Sequence, residues 1–242
     1  MDYVEGWDSK KEILVVLAHP DDPEFFLGGT IARWIAAGHT VRYVLLTQGD
    51  KGAKDVTLTA RDISSIRIKE QQAACDYLGV SSVDFMDYED GYLVPDLEMR
   101  KKVVRYIRKY RPQILVTCDP TNIFPSAQYI NHPDHRYAGQ VVVDAVFPAA
   151  GNHFFFPELI DEGYPPHEVE EVWMSLTNQP DVTLDVTEFL SIKLGALKNH
   201  ASQIGDPAEF EKRMRGRVED GEAEQPKLEE TFRRIKFRRA EA

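Results

Sequence analysis

Apolar and polar positions along the chain fall into alternating blocks of two kinds. Predominantly apolar runs at 13–18, 41–47 and 114–118 read as strands buried on both faces. Shorter runs at 83–86, 169–176 and 182–186 add further strands. Between them the apolar positions recur at helical spacing. This predicts helices over 29–37, 61–78, 96–110, 134–147 and 187–199. Their ends carry the expected signals. Gly38 and Gly79 sit at C-terminal cap positions, Arg111-Pro112 breaks the third helix, and Thr187 can cap the last.

Strand–helix alternation of this kind predicts an α/β fold. The best match is a Rossmann-like, doubly wound, mostly parallel sheet with helices on both faces. In the common strand order 3-2-1-4-5, strands one and four are neighbours where the winding reverses. Ligands in such sheets bind beyond the carboxyl ends of the strands at that point.

The chain has 242 residues, 43% hydrophobic and 29% charged, enough for one large domain with a substantial core. We expect that domain over 10–205. The charge-dense segment 206–242 reads as a helical extension whose Phe232, Ile235 and Phe237 could pack across a subunit boundary in a homo-oligomer. Arg233, Arg234, Arg238 and Arg239 there read as a solvated face. A net charge of -11 argues against a nucleic-acid or anionic-membrane partner. Cys75 and Cys118 are expected to be buried free thiols. Without a basic n-region or a spanning apolar stretch, the chain reads as cytoplasmic.

Chemistry concentrates at the ends of two predicted strands. His19, Asp21 and Asp22 follow the first, and His132, Asp134 and His135 lie beyond the fourth. His132 and His135 are spaced i, i+3 at a helix start; His19 and Asp22 have the same spacing across Pro20. Adjacent Asp21 and Asp22 must point differently, so one can bind a metal while the other faces water. His19, Asp22 and His135 would offer two nitrogens and one oxygen to a single ion. Zn2+ suits that set, and Fe2+, Mn2+ or Co2+ can be accommodated. His39, His153 and His167 lack such surroundings.

At these residues the chain resembles the LmbE-like, or PIG-L, family of metal-dependent de-N-acetylases. The resemblance spans about residues 10–205. It rests on Ala18-His-Pro-Asp-Asp-Pro-Glu24 with Gly28-Gly29-Thr30, on Thr47 to Gly52, on Arg67 and Glu70 ahead of Leu78-Gly79, on His132-Pro-Asp-His-Arg136, and on Ala196 to Gln203. It implies His19, Asp22 and His135 as zinc ligands and Asp21 as the general base. It implies His132 as the acid that stabilises the oxyanion, with Asp134 orienting it, and Arg67, His200 and Gln203 near the substrate. Pro23 departs from the commoner motif, in which Glu follows the second Asp directly, and Glu24 reads as a structural group. The activity implied is removal of an acetyl group from an N-acetylglucosamine-containing small molecule. Because a carboxylate neighbour raises a histidine's pKa, Asp134 is expected to keep His132 protonated near neutrality. A hydrolase of another bond and a catalytically idle metal-binding relative are the rival readings. Substrate choice should lie in the loops 48–59, 87–95, 119–131 and 151–166, the last rich in aromatic rings.

Overall fold

The structure is a computed structural model. It describes residues 5–219 and 227–237. Seven strands form one sheet in the order β3-β2-β1-β4-β5-β7-β6. β1 (Glu12–Leu17), β2 (Thr40–Thr47), β3 (Ser82–Tyr88), β4 (Ile114–Cys118) and β5 (Glu171–Ser175) are mutually parallel. β6 (Val182–Asp185) and β7 (Glu229–Lys236) complete the sheet, with β7 antiparallel to both β5 and β6. The winding reverses between β1 and β4, as the strand order expected from sequence requires.

Strand periodicity divides the core. Ile13, Val15 and Leu17 of β1 face one side, in a cluster with Leu27, Ile31 and Trp34 of α1 (Asp22–Ala36) and Cys75 and Leu78 of α2 (Ala60–Leu78). Leu14, Val16 and Ala18 face the other, against Val103, Val104 and Ile107 of α3 (Leu97–Tyr110) and Ala138, Val141 and Val142 of α4 (Pro133–Asp144). Every residue from Ile13 to Ala18 is at most 1% exposed, so β1 tolerates no alternation of polarity. Both cysteines are free and buried.

Helix ends follow their sequence signals. Thr59 and Asp62 form a reciprocal capping box on α2, and Gly79 closes it at φ 83°. Asp96 caps α3. Gly139 lets α4 lie close on the end of β4, since a Cβ there would fall 2.2 Å from the Cys118 carbonyl oxygen. Short helices α5 (Glu158–Asp161), α6 (Leu190–Leu197) and α7 (Ala201–Ile204) follow, then α8 (Pro207–Glu219).

Three expectations are corrected. α1 begins at Asp22, seven residues before its predicted start, because Pro23 lies in the first turn, where a missing N–H costs nothing. The predicted 134–147 helix stops being regular at Asp144; Phe147 is extended and Pro148 follows. The segment past 205, expected to be a helical extension, is a helix followed by a strand inside the sheet. Phe232 is fully buried in the core rather than offered to a partner. Arg238 and Arg239 lie outside the described residues.

β7 also braces α1. The helix breaks its geometry at Leu27 (φ -145°, ψ 25°). Beyond that break the N–H groups of Gly29 and Thr30 donate to the Glu230 carboxylate at 3.0 and 2.7 Å. Lys193 pairs with Glu230 at 2.6 Å and donates to the Phe25 carbonyl at 2.8 Å, so it grips the turn before the break. All of these side-chain groups are buried, and deleting one member strands the rest. Glu230→Ala is therefore expected to lower stability by about 3–5 kcal/mol. Urea unfolding measures this, and a loss below about 1 kcal/mol would show that the network does not hold α1.

Candidate active site

β1 delivers His19 to the carboxyl edge of the sheet, and α1 starts at Asp22. Neighbouring β4 leads through a long loop to His132 at the N-terminus of α4, with Asp134 and His135 in its first turn. The two clusters meet on Asp22. One of its oxygens lies 3.1 Å from His135 Nε2 and the other 3.4 Å from His19 Nδ1. The latter oxygen also accepts the His19 backbone N–H at 2.8 Å. Burial alone would raise the Asp22 carboxyl, but His135 and His19 outweigh it and hold it well below the carboxylate range.

The far side of each imidazole is also held. His19 Nε2 lies 3.1 Å from Asp90 and 3.3 Å from Asp134. His135 Nδ1 lies 3.0 Å from the Asn131 side-chain oxygen, which fixes the tautomer with its proton on Nδ1. His19 Nδ1, the Asp22 carboxylate and His135 Nε2 thus remain as donors, and one ligand atom from each of these three residues lies within 4.8 Å of the others. Imidazoles whose outer nitrogens are anchored to carboxylate or carbonyl oxygen are the arrangement that metal-binding histidines need. This donor set, two nitrogens and a carboxylate, fits a Zn2+-type cation.

Asp21 turns the other way. Its carboxylate lies 3.1 Å from Arg67, which also donates to the Pro20 carbonyl at 2.6 Å and to Gly49 at 3.2 Å. Gly49 and Gly52 wrap the guanidinium so closely that a Cβ on either would fall within 2.3 Å of it. Burial, with Asp22 alongside, pushes the Asp21 carboxyl up to about 7 against the pull of Arg67. A bound cation would draw that value down.

Asp134 and His132 do not form the expected dyad. The Asp134 carboxylate faces His19 and accepts the Gly91 N–H at 2.7 Å, so it orients His19 instead. It is the Asp134 backbone N–H that donates to His132 Nδ1, at 3.2 Å. Burial and then the neighbouring His19 and His135 push His132 below its ordinary value, outweighing Asp134 and Asp90. With Nδ1 accepting, the neutral ring carries its proton on Nε2.

A cavity of about 440 Å³ opens over this cluster, lined by His19, Asp21, Asp22, Arg67, Asp90 and His132 among others. Lys51, Gly52 and Tyr129 from two of the expected specificity loops also line it. The 151–166 loop does not. Its Phe155, Phe156 and Tyr164 pack on the core, and Arg108 ties its carbonyls at Asn152, Phe155 and Phe156 to α3. His200 does not line the cavity either. It is fully buried, 3.1 Å from Glu24. Gln203 is not part of the cavity lining; it donates to the Gly52 carbonyl at 2.7 Å. Glu70 accepts the Ser202 N–H and hydroxyl.

Asp90, Asn131 and Gln71 were missed in the sequence. Gln71 carried a usable signal, because it lies four residues after Arg67 on one face of α2. Asp90 and Asn131 sit in loops whose course no periodicity reports.

Comparison with known proteins identifies the family. The chain is 34% identical over 200 residues to the diacetylchitobiose deacetylase of Thermococcus kodakarensis, covering 83% of this chain and 73% of that protein. It is 28% identical to a probable N-acetyl-alpha-D-glucosaminyl L-malate deacetylase 2 of Bacillus anthracis, covering 81% and 83%. Among solved structures, the N,N'-diacetylchitobiose deacetylase of Pyrococcus horikoshii superposes with a TM-score of 0.84 at 28% identity, covering 97% of this chain and 89% of that one. The model of the family PIG-L, GlcNAc-PI de-N-acetylase, matches residues 14–146, a span that holds both histidine/aspartate clusters. The chain belongs to the PIG-L family.

Proposed function

We propose that this protein is a zinc-dependent hydrolase that removes the acetyl group from the amide nitrogen of an N-acetylglucosamine-containing small molecule. The observation that carries this reading is the convergence of His19 Nδ1, Asp22 and His135 Nε2 on one point beneath an open cavity, with Asp21 beside them and not among them. Relatives that share the fold and the motifs are named as deacetylases of acetylated amino sugars.

His19, Asp22 and His135 would hold one cation per chain. When bound, it supplies Lewis acidity to the acetyl carbonyl and acidifies a water. Asp21 takes the proton of the attacking water and returns it to the amide nitrogen as the C–N bond breaks and the amine leaves. Its carboxylate lines the cavity beside the three donors and not among them, where it can accept that proton. His132 donates its Nε2 hydrogen to the acetyl oxygen as negative charge develops there. In this role it acts as a neutral hydrogen-bond donor, which replaces the cationic role expected from sequence. Arg67 holds the carbonyl of Pro20 and the carboxylate of Asp21 in one place, and the exposed ring of Tyr129 offers a face for a sugar to stack on.

No helix among the described residues is long and apolar enough to cross a membrane. We place the protein in the cytoplasm. We also keep the homo-oligomer expected from sequence, now with Ile235 and Phe237, each 38% exposed, as its contact rather than the buried Phe232.

Three outcomes follow. Zinc-loaded protein should release free amine from at least one N-acetylglucosamine conjugate, such as N,N'-diacetylchitobiose, and lose that activity to a chelator. Turnover that survives complete metal removal would overturn the mechanism. Asp21→Asn should keep its metal and lose roughly 10²–10⁴-fold in kcat, because an amide of the same shape cannot accept the proton; near wild-type turnover would assign the base elsewhere. Light scattering at micromolar protein should return a mass of at least two chains, and a monomeric mass would remove the oligomer from the account.

A further inference from the structure

Asp21 has a backbone that its position does not explain. It stands at the N-terminal cap of α1, where an Asp ordinarily has extended φ and accepts an N–H of the first turn. Here φ is 84°, in the left-handed region, and its side chain makes no capping bond. A non-glycine residue persists there only when its surroundings impose it. The effect is visible at once. Asp22 turns to the two imidazoles, while Asp21 points its carboxylate at Arg67.

The imposing group is on α2. The Asp21 N–H donates to the side-chain oxygen of Gln71 at 2.8 Å. Gln71 is itself fully buried, and its amide nitrogen donates to both oxygens of Glu24 at 3.0 and 3.1 Å. That fixes which way round the amide sits: the nitrogen must face the carboxylate, so the oxygen must face Asp21. Glu24 is fully buried and is held from its other side by His200 Nε2 at 3.1 Å. The chain Asp21–Gln71–Glu24–His200 therefore runs from the pocket into a core closed to solvent. Nothing in the proposed chemistry uses Gln71, Glu24 or His200.

We propose that Gln71, aligned by Glu24 and His200, is a positioning residue that holds Asp21 in its left-handed conformation and thereby keeps the base aimed at the pocket and away from the metal donors. The inference rests on the deacetylase reading for its kinetic consequences and on the backbone of Asp21 for its structural one. Glu24 acts one bond further away than Gln71, and His200 one further still, so their effects should fall in that order. The family motif's Glu24 thereby acquires a role as the residue that sets the orientation of the Gln71 amide.

Gln71→Met keeps the length and burial of the side chain and removes its hydrogen bonds to Asp21 and Glu24. In a crystal structure of this variant Asp21 should leave positive φ and its carboxylate should leave Arg67. Asp21 unmoved would overturn the proposal, whether or not the protein deacetylates anything. In kinetics, kcat should fall about 10- to 100-fold, the loss a misplacement near 1 Å brings, with KM and metal content as in the wild type. Combined with Asp21→Asn, the same substitution should cost less than about twofold more, because its effect passes through the missing carboxylate. Losses that multiply in the double variant, or loss of metal, would assign Gln71 a general structural role and refute the inference. Glu24→Gln keeps an acceptor for Gln71 and should show the same pattern at smaller size, so it decides the matter if Gln71→Met does not fold. A wild-type protein inactive on every acetylated amino sugar would sink the functional reading alone, since the crystallographic test of Asp21 stands apart from activity.

Discussion

The site hangs on one carboxylate shared between two imidazoles. Asp22 offers one oxygen to His135 and the other to His19, and it can do so only because β1 and β4 lie side by side and end at the same edge. The winding of the sheet reverses there, which leaves a crevice that no crossing helix fills. Each further element serves that meeting. Gly139 lets α4 approach the end of β4, the Glu230–Lys193 pair supports α1 across its break, and Asp134 and Asn131 hold the outer nitrogens of the two rings.

In the proposed mechanism a metal ligand and a proton-transfer group differ by a single peptide. Asp21 and Asp22 are adjacent and chemically alike, and their surroundings separate them. Asp22 is held ionised by two imidazoles, whereas burial lifts Asp21 towards neutrality against one guanidinium. The left-handed backbone of Asp21 is the mechanical form of that separation. Without it both carboxylates would compete for the same cationic donors.

Much of this was legible in the sequence, for identifiable reasons. A parallel sheet buried on both faces writes its strands as predominantly apolar runs, so β1, β2 and β4 could be placed nearly to the residue. The strand order then brought His19 and His135 together. Residues 229–236 were not legible. Glu230, Arg233, Arg234 and Lys236 give that strand a charged pattern, yet Phe232 and Glu230 are both buried because β7 lies within the sheet beside β5. Side-chain partners were harder again. Asp134 beside His132 in sequence suggested a dyad, but the carboxylate turns to His19 while the backbone N–H serves His132. His200 was placed at the substrate by motif and is instead buried against Glu24. In each case sequence proximity reported the neighbourhood correctly and the direction of the side chain wrongly.

Two overlapping donor sets share His19: one with Asp22 and His135, the other with His132 and Asp134. Which nitrogen of His19 faces the ion distinguishes them. Anomalous diffraction from a zinc-soaked crystal is the most direct test. The account predicts a single peak about 2.0–2.3 Å from His19 Nδ1, an Asp22 oxygen and His135 Nε2, with His19 Nε2 still on Asp90 and Asp134. A peak bound to His132 and Asp134 instead, or none at either set, would contradict it.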